Sequence, residues 1–192
     1  MSTNNEKILN KPFADWTEEY DKGDQIVIST RVRLARNLTK EKFPQSLSAD
    51  EASNVALKIK EAIYKYEKCP LNTDHFNYYD LAKLTQAQRQ VLFEKHFISQ
   101  NMVQKNFGRE VVVNDDQNLA IMINEEDHLR MQCILPGLQL EKAWEKISQL
   151  DDALNHELNF AYDSKLGYLT ACPSNVGTGL RASVMLHLPA LK

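Results

Sequence analysis

The sequence predicts an α+β fold in which an antiparallel sheet is flanked by helices. Three segments carry apolar residues at helical spacing. Strand-like segments follow one another through short polar turns, and they do not alternate with helices as a βαβ repeat would. A chain of 192 residues, 43% of them hydrophobic, is long enough for one domain with its own core.

Residues 1–24 read as a polar arm, with Phe13, Trp16 and Tyr20 at helical spacing as a docking face. "QIVIS", Gln25 to Ser29, is a short strand. In "SADEASNVALKIKEAIYKY" Ser48 and Glu51 stand at capping-box spacing. Ala52, Val55, Ala56, Ile59, Ile63 and Tyr66 then share one helical face. A second helix follows Thr85, with Gln88 in the same relation, and runs through Val91 and Leu92 towards His96. "REVVVN" and "NLAIMIN" flank "DDQ" as a hairpin. "LRMQCIL" sets Leu129, Met131, Cys133 and Leu135 against Arg130, Gln132 and Ile134, as a strand with one buried face would. "LQLEKAWEKISQLDDAL" is a third helix, with Leu140, Ala143, Trp144, Ile147, Leu150 and Leu154 expected inward. After "GYLTA" and the loop "CPSNVGTG", the alternation of Ala182, Val184 and Leu186 with Arg181, Ser183 and Met185 gives a last strand.

Several function classes drop out on composition. A net charge of -3 gives no bulk attraction to nucleic acid or an anionic membrane, so anion binding has to come from local clusters. No apolar run is long enough to span a bilayer, and the first residues lack the apolar core of a secretory signal. Cys69, Cys133 and Cys172 are odd in number and far apart. This argues against a disulfide framework or a cysteine zinc site and suits a reducing cytoplasm.

Three clusters carry candidate chemistry. "NEEDHLR" places Glu125, Glu126, Asp127 and His128 at a turn between strands, with Arg130 just beyond. Such a turn is solvated, or it holds a metal, or it grips a cationic reactant; adjacent residues rarely converge on one ion. "STRVRLARN" puts Arg31 and Arg33 on one face with Val32 on the other. Paired guanidinium forks repel unless an anion bridges them, and they suit phosphate oxygens; a basic edge strand is the plainer alternative. "CPSNVGTGLRASV" lacks the GxxxxGK[ST] phosphate loop. Its Gly177, Gly179 and Ala182 fit a dinucleotide fingerprint, but a strand follows where that motif needs a helix. What remains is a loop whose backbone N–H groups face a ligand, with Arg181 at its end and Cys172 at its start. Four arginines (Arg31, Arg33, Arg130, Arg181) around a polyphosphate, opposed by carboxylates, form what phosphoryl transfer to a basic acceptor requires.

"STRVRLARN", "INEEDHLR" and "YLTACPSNVGTGLRASV", in this order, resemble the signatures of the phosphagen (guanidino) kinase catalytic domain, which includes the arginine and creatine kinases. The resemblance runs from Gln25 to the end, residues 25–192. "EKHFIS", "PGLQL", "LDD" and "SVMLHLPAL", with only a short arm before "STRVR", resemble the bacterial protein-arginine kinases (the McsB type). It implies ATP-dependent, Mg²⁺-assisted phosphorylation of protein arginines in cytoplasmic quality control and stress response. Ser29, Thr30, Arg31, Val32, Arg33, Arg130, Arg181, Ala182, Ser183, Val184 and Met185 would bind ATP, with His96 against the adenine. Glu126 would grip the acceptor guanidinium, Glu125 and Asp127 would support it and the Mg²⁺ hydration shell, and Cys172 would help orient it. No residue is implied as a direct metal ligand, since Mg²⁺ comes with ATP. Met185 departs from the histidine of many small-guanidine kinases. Implied partners are protein substrates with exposed arginine, a zinc-containing activator, an AAA+ unfoldase and a stress-gene repressor, and a homodimer is left open. The family's domain normally continues past "LPAL", so the chain is expected to be incomplete at its C-terminus, with an exposed sheet edge and little kinase activity alone. The alternatives are a kinase for a small guanidino compound and a non-catalytic nucleotide-binding or regulatory module.

Overall fold

The computed structural model describes residues 8–10, 13, 14, 17, 26–70, 72–104 and 107–189. Of the arm's expected docking residues, Trp16 and Tyr20 lie outside the described residues and Phe13 is exposed. Ile8 and Ala14 are instead the arm residues that reach the core.

Six strands make one antiparallel sheet: β1 (Val27–Arg36), β2 (Phe76–Asp80), β3 (Glu110–Asn114), β4 (Leu119–Ile123), β5 (Leu129–Pro136) and β8 (Leu180–Leu186). Their order is β2-β3-β4-β5-β1-β8, and β6 (Tyr162–Asp163) with β7 (Gly167–Tyr168) forms a separate small hairpin. The helices are α1 (Ala49–Glu67), α2 (Gln86–Glu94), α3 (Gln100–Gln104) and α4 (Leu140–Leu158). Both expected capping boxes form, at Ser48/Glu51 and Thr85/Gln88, so two orphan amide groups at each helix start find partners.

The sheet has a core on each face. Against one face lie α1 and α4, and Val32, Leu34, Val112, Ile121, Leu129, Met131 and Cys133 meet Val55, Ile59, Ile147 and Leu150 there. On the other, Val111, Val113, Met122 and Ile134 meet Leu92, Phe97 and Met102. This second core corrects the expectation for β5. Gln132 and Ile134 are buried and Leu135 is only partly so, because α2 and α3 cover the face expected to be solvated. Three further expectations are revised. The first strand does not stop at Ser29 but runs to Arg36. Strand β2 and helix α3 are additional elements. Leu140 and Trp144 on α4 are exposed, because the buried stripe of the helix is Ala143, Ile147, Leu150 and Leu154. Strand β8 is one edge of the sheet, and six of its seven residues are exposed.

Candidate active site

Register, more than sequence proximity, assembles the site. Residues directly opposite one another in an antiparallel ladder point to the same face. Arg31 pairs with Ile134 on β5 and Ser183 on β8, Arg33 with Gln132 and Arg181, and Ala35 with Arg130. Arg31, Arg33, Arg130 and Arg181 therefore share one face, spread over three adjacent strands. Thr30, Val32, Ala182 and Val184 alternate onto the opposite face. The Thr30 hydroxyl donates to the Gly137 carbonyl and accepts from Gln139 N–H, which fixes the start of α4.

The arginine face is short of anions. Burial together with Arg31, Arg130 and Arg181 pulls the Arg33 guanidinium down to about 10, and burial with Arg130 and Arg181 lowers Arg31. Arginine does not lose its proton at such values, so the shift records the cost of burial and, after it, a mutual repulsion that a polyanion would relieve. Arg33 Nε is buried with no hydrogen-bond partner, and an orphaned charged donor of this kind is costly unless a ligand meets it. Beside Arg31 opens a cleft of about 360 Å³, lined also by Ser29, His96, Ile134, Ser183, Val184 and Met185. His96 stands at the cleft in a left-handed conformation, φ 64°, just past α2, where burial and Arg31 disfavour its charged form. The Gln132 amide donates to its carbonyl.

The three carboxylates of the acidic turn have separate fates. The turn closes through Asn124 N–H to the His128 carbonyl at 3.0 Å, with Asn124 at φ 56°. Glu125 is buried and accepts from the Ser99 hydroxyl at 2.7 Å, Arg130 at 3.0 Å and Glu126 N–H at 3.0 Å. Burial pushes its carboxyl up, but these three donors outweigh that and hold it below the ordinary range. Asp127, 2% exposed, accepts from the Asn37 amide at 2.6 Å and Ala171 N–H at 2.7 Å. The Glu126 carboxylate alone has no hydrogen bond or ion pair to the described residues. Burial, then Asp127 and Glu125, raise its pKa. His128 is locked neutral: its Nδ1 accepts from Leu38 N–H at 3.1 Å, so Nε2 carries the proton and donates to the Lys42 carbonyl at 2.9 Å. Cys172, half-buried, opens the turn Pro173–Asn175 one residue after Ala171, with its Sγ 3.0 Å from the Ser174 hydroxyl.

Arg130 joins the two halves, since it stands on the arginine face and bonds Glu125. Guanidinium groups as a class suit phosphate and carboxylate oxygens. Among the described residues no cluster of three or more His, Cys, Asp or Glu could hold a metal. Arg36, in the same motif, has another role. It is 3% exposed, bonds Asp151 through two nitrogens at 3.0 and 2.8 Å, and lies 3.6 Å over the Tyr168 ring. Ser99 and Asn37 were not singled out from the sequence. Local patterning marks neither of them, since Asn37 lies between Arg36 and Leu38 and Ser99 between Ile98 and Gln100.

An antiparallel sheet with a basic face beside an acidic turn is the arrangement of a catalytic domain of the phosphagen kinase type. Residues 54–192 match the ATP:guanido phosphotransferase C-terminal catalytic domain, and the chain belongs to that family. It is 46% identical over 184 residues to the protein-arginine kinase of Halothermothrix orenii, covering 96% of this chain and 51% of the relative. It is 41% identical over 186 residues to that of Geobacillus thermodenitrificans, covering 97% and 51%. The chain spans about half the length of the curated relatives it matches. Among solved structures, a lombricine kinase superposes with TM-score 0.75 at 30% identity, covering 94% of this chain and 54% of that one. The duplicated taurocyamine kinase of Schistosoma mansoni with bound transition-state-analogue components gives TM-score 0.78 at 29% identity, covering 96% and 26%.

Proposed function

We propose that the chain carries the nucleotide site and guanidinium clamp of an ATP-dependent protein-arginine kinase. The observation that supports it is the register that lines up Arg31, Arg33, Arg130 and Arg181 on one face beside a turn in which Glu126 is the unengaged carboxylate. The arginines would hold the phosphate chain while Glu126 holds the incoming guanidinium. As the terminal N–P bond forms, the bond from the γ-phosphorus to the β-phosphate oxygen breaks and ADP leaves. The guanidinium proton passes to the Glu126 carboxylate, whose raised pKa suits it to accept that proton. Bound Mg²⁺ would neutralise the phosphate charge.

The name that the curated relatives carry favours protein arginine over a small guanidine as acceptor. By resemblance to that bacterial branch, the protein works in the cytoplasm in quality control and stress response, with a zinc-containing activator, an AAA+ unfoldase and a stress-gene repressor as partners. The test is incubation with terminally labelled Mg·ATP and either a denatured basic protein or free arginine. Weak acid-labile label on the protein, above a blank without the chain and lost in Glu126→Gln, is expected, in keeping with the little activity expected of this chain alone. Label on free arginine alone would assign a small-guanidine kinase, and nucleotide binding with no transfer to either acceptor would assign a binding module.

A further inference from the structure

One buried carboxamide links the acidic turn to the loop that leads to Cys172. Asn37 is 1% exposed and directly follows the arginine strand β1. Its Nδ2 donates to Asp127 at 2.6 Å and to the Leu169 carbonyl at 3.1 Å, while its Oδ1 accepts from His128 N–H at 2.9 Å. Asp127 in turn holds Ala171 N–H. Both flanks of Thr170 are thus tied to the acidic turn, and Cys172 follows immediately. The Thr170 hydroxyl donates to the Cys172 carbonyl at 2.9 Å. These bonds lie in the interior, where unmade partners are expensive and a satisfied network is stiff.

We infer that Asn37 is a positioning residue that pins the Cys172 loop against the acidic turn and so sets where the Glu126 carboxylate and the Cys172 thiol stand relative to the arginine strand. Asn37 itself touches no reacting atom; it acts through Asp127, His128 and the main chain of residues 169–171. This deepens the guanidino-transfer reading and rests on it, because a guanidinium would occupy the space that the tether fixes. Asp127 is then spent on holding the loop, which leaves Glu126 as the carboxylate free to meet the acceptor.

The tether is tested without any need for turnover. Iodoacetamide labelling of Cys172 in the full chain is followed by mass spectrometry, with exposed Cys69 as internal reference. Asn77 is also a buried asparagine with two side-chain bonds, to the Val113 carbonyl and Asp115, but it lies on β2 at the far edge of the sheet. Asn37→Ala is expected to raise Cys172 labelling about fivefold, as loss of roughly one net hydrogen bond does to a local opening equilibrium. Asn77→Ala should leave it unchanged, and Cys69 should label equally in all three proteins. An unchanged Cys172 rate in Asn37→Ala, or an equal rise in Asn77→Ala, overturns the inference. Should Asn37→Ala fail to fold, hydrogen exchange on the wild type decides: the amides of Ala171 and His128 should open together, and independent exchange contradicts the tether. Failure here leaves nucleotide binding untouched, whereas failure of the transfer experiment leaves the labelling result intact.

Discussion

Replacing Arg33 by glutamine should stabilise the nucleotide-free protein and weaken its hold on nucleotide, two effects of opposite sign from one change. In the folded state burial and like charges hold the guanidinium at about 10, well below the ordinary arginine value. That difference, fully expressed, would be about 3 kcal/mol. The side chain is only half-buried and salt screens it, so about 1 kcal/mol is the realistic gain. Its sign is fixed: a cation whose folded pKa is depressed destabilises the fold at every pH below that value, and the penalty fades only as pH rises through about 10. On the ligand side, Arg33→Gln removes charge-assisted bonds worth about 1.5–3 kcal/mol, a loss of about ten- to hundredfold in affinity. Urea unfolding without nucleotide gives the first quantity and titration with Mg·ATP the second. The stability gain should shrink in about 1 M salt, where the screening length is about 3 Å. A variant that is less stable than wild type yet binds nucleotide equally well would refute the electrostatic argument.

Other outcomes follow from the same geometry. Asp151→Ala should cost about 3–5 kcal/mol in urea unfolding, because it strands the buried Arg36 guanidinium without its carboxylate. Gly179→Ala should destabilise by at least about 1 kcal/mol: the residue sits at φ +61°, and a Cβ there would meet the Ala35 carbonyl oxygen and an Arg36 nitrogen at 2.6 Å. Stability should fall as pH drops below 6.5, the ordinary histidine value, towards the depressed folded value of His128. The unfolded chain takes a proton in that window and the folded one does not, at up to about 1.4 kcal/mol per pH unit, and His128→Gln should flatten the slope. Ser99→Ala should raise the Glu125 pKa, readable by carboxyl-carbon NMR, since it removes a donor from a buried carboxylate.

Much of the sheet was legible because period-2 alternation is a local signal. Arg31 and Arg33 share a parity, and so do Arg181, Ser183 and Met185, so their common facing within each strand could be read directly. That they belong to one face together with Arg130 depends on pairing register, which no single strand encodes. Arg36 illustrates the limit. Its even position sends it to the core face, where it needs a buried anion, and its partner Asp151 lies 115 residues away on α4. The second core was hidden for a similar reason. Gln132 and Ile134 read as the solvated side of β5 until α2 and α3, placed by tertiary packing, cover them. The five-residue segment "FNYYD", aromatic but too short for its alternation to stand out, became β2 by pairing with β3. At the acidic turn, composition marked the place, but which carboxylate is engaged was set by distant donors, Ser99 and Asn37.

The central claim is that four arginines on one sheet face receive a nucleotide's phosphates. Side-chain ¹⁵Nε NMR during titration with Mg·ATP addresses it directly. Signals of Arg31, Arg33, Arg130 and Arg181 should move together along one binding curve, while the Arg36 signal, held by Asp151, stays in place. Four unmoved signals at saturating nucleotide, or movement of Arg36 without them, would contradict it.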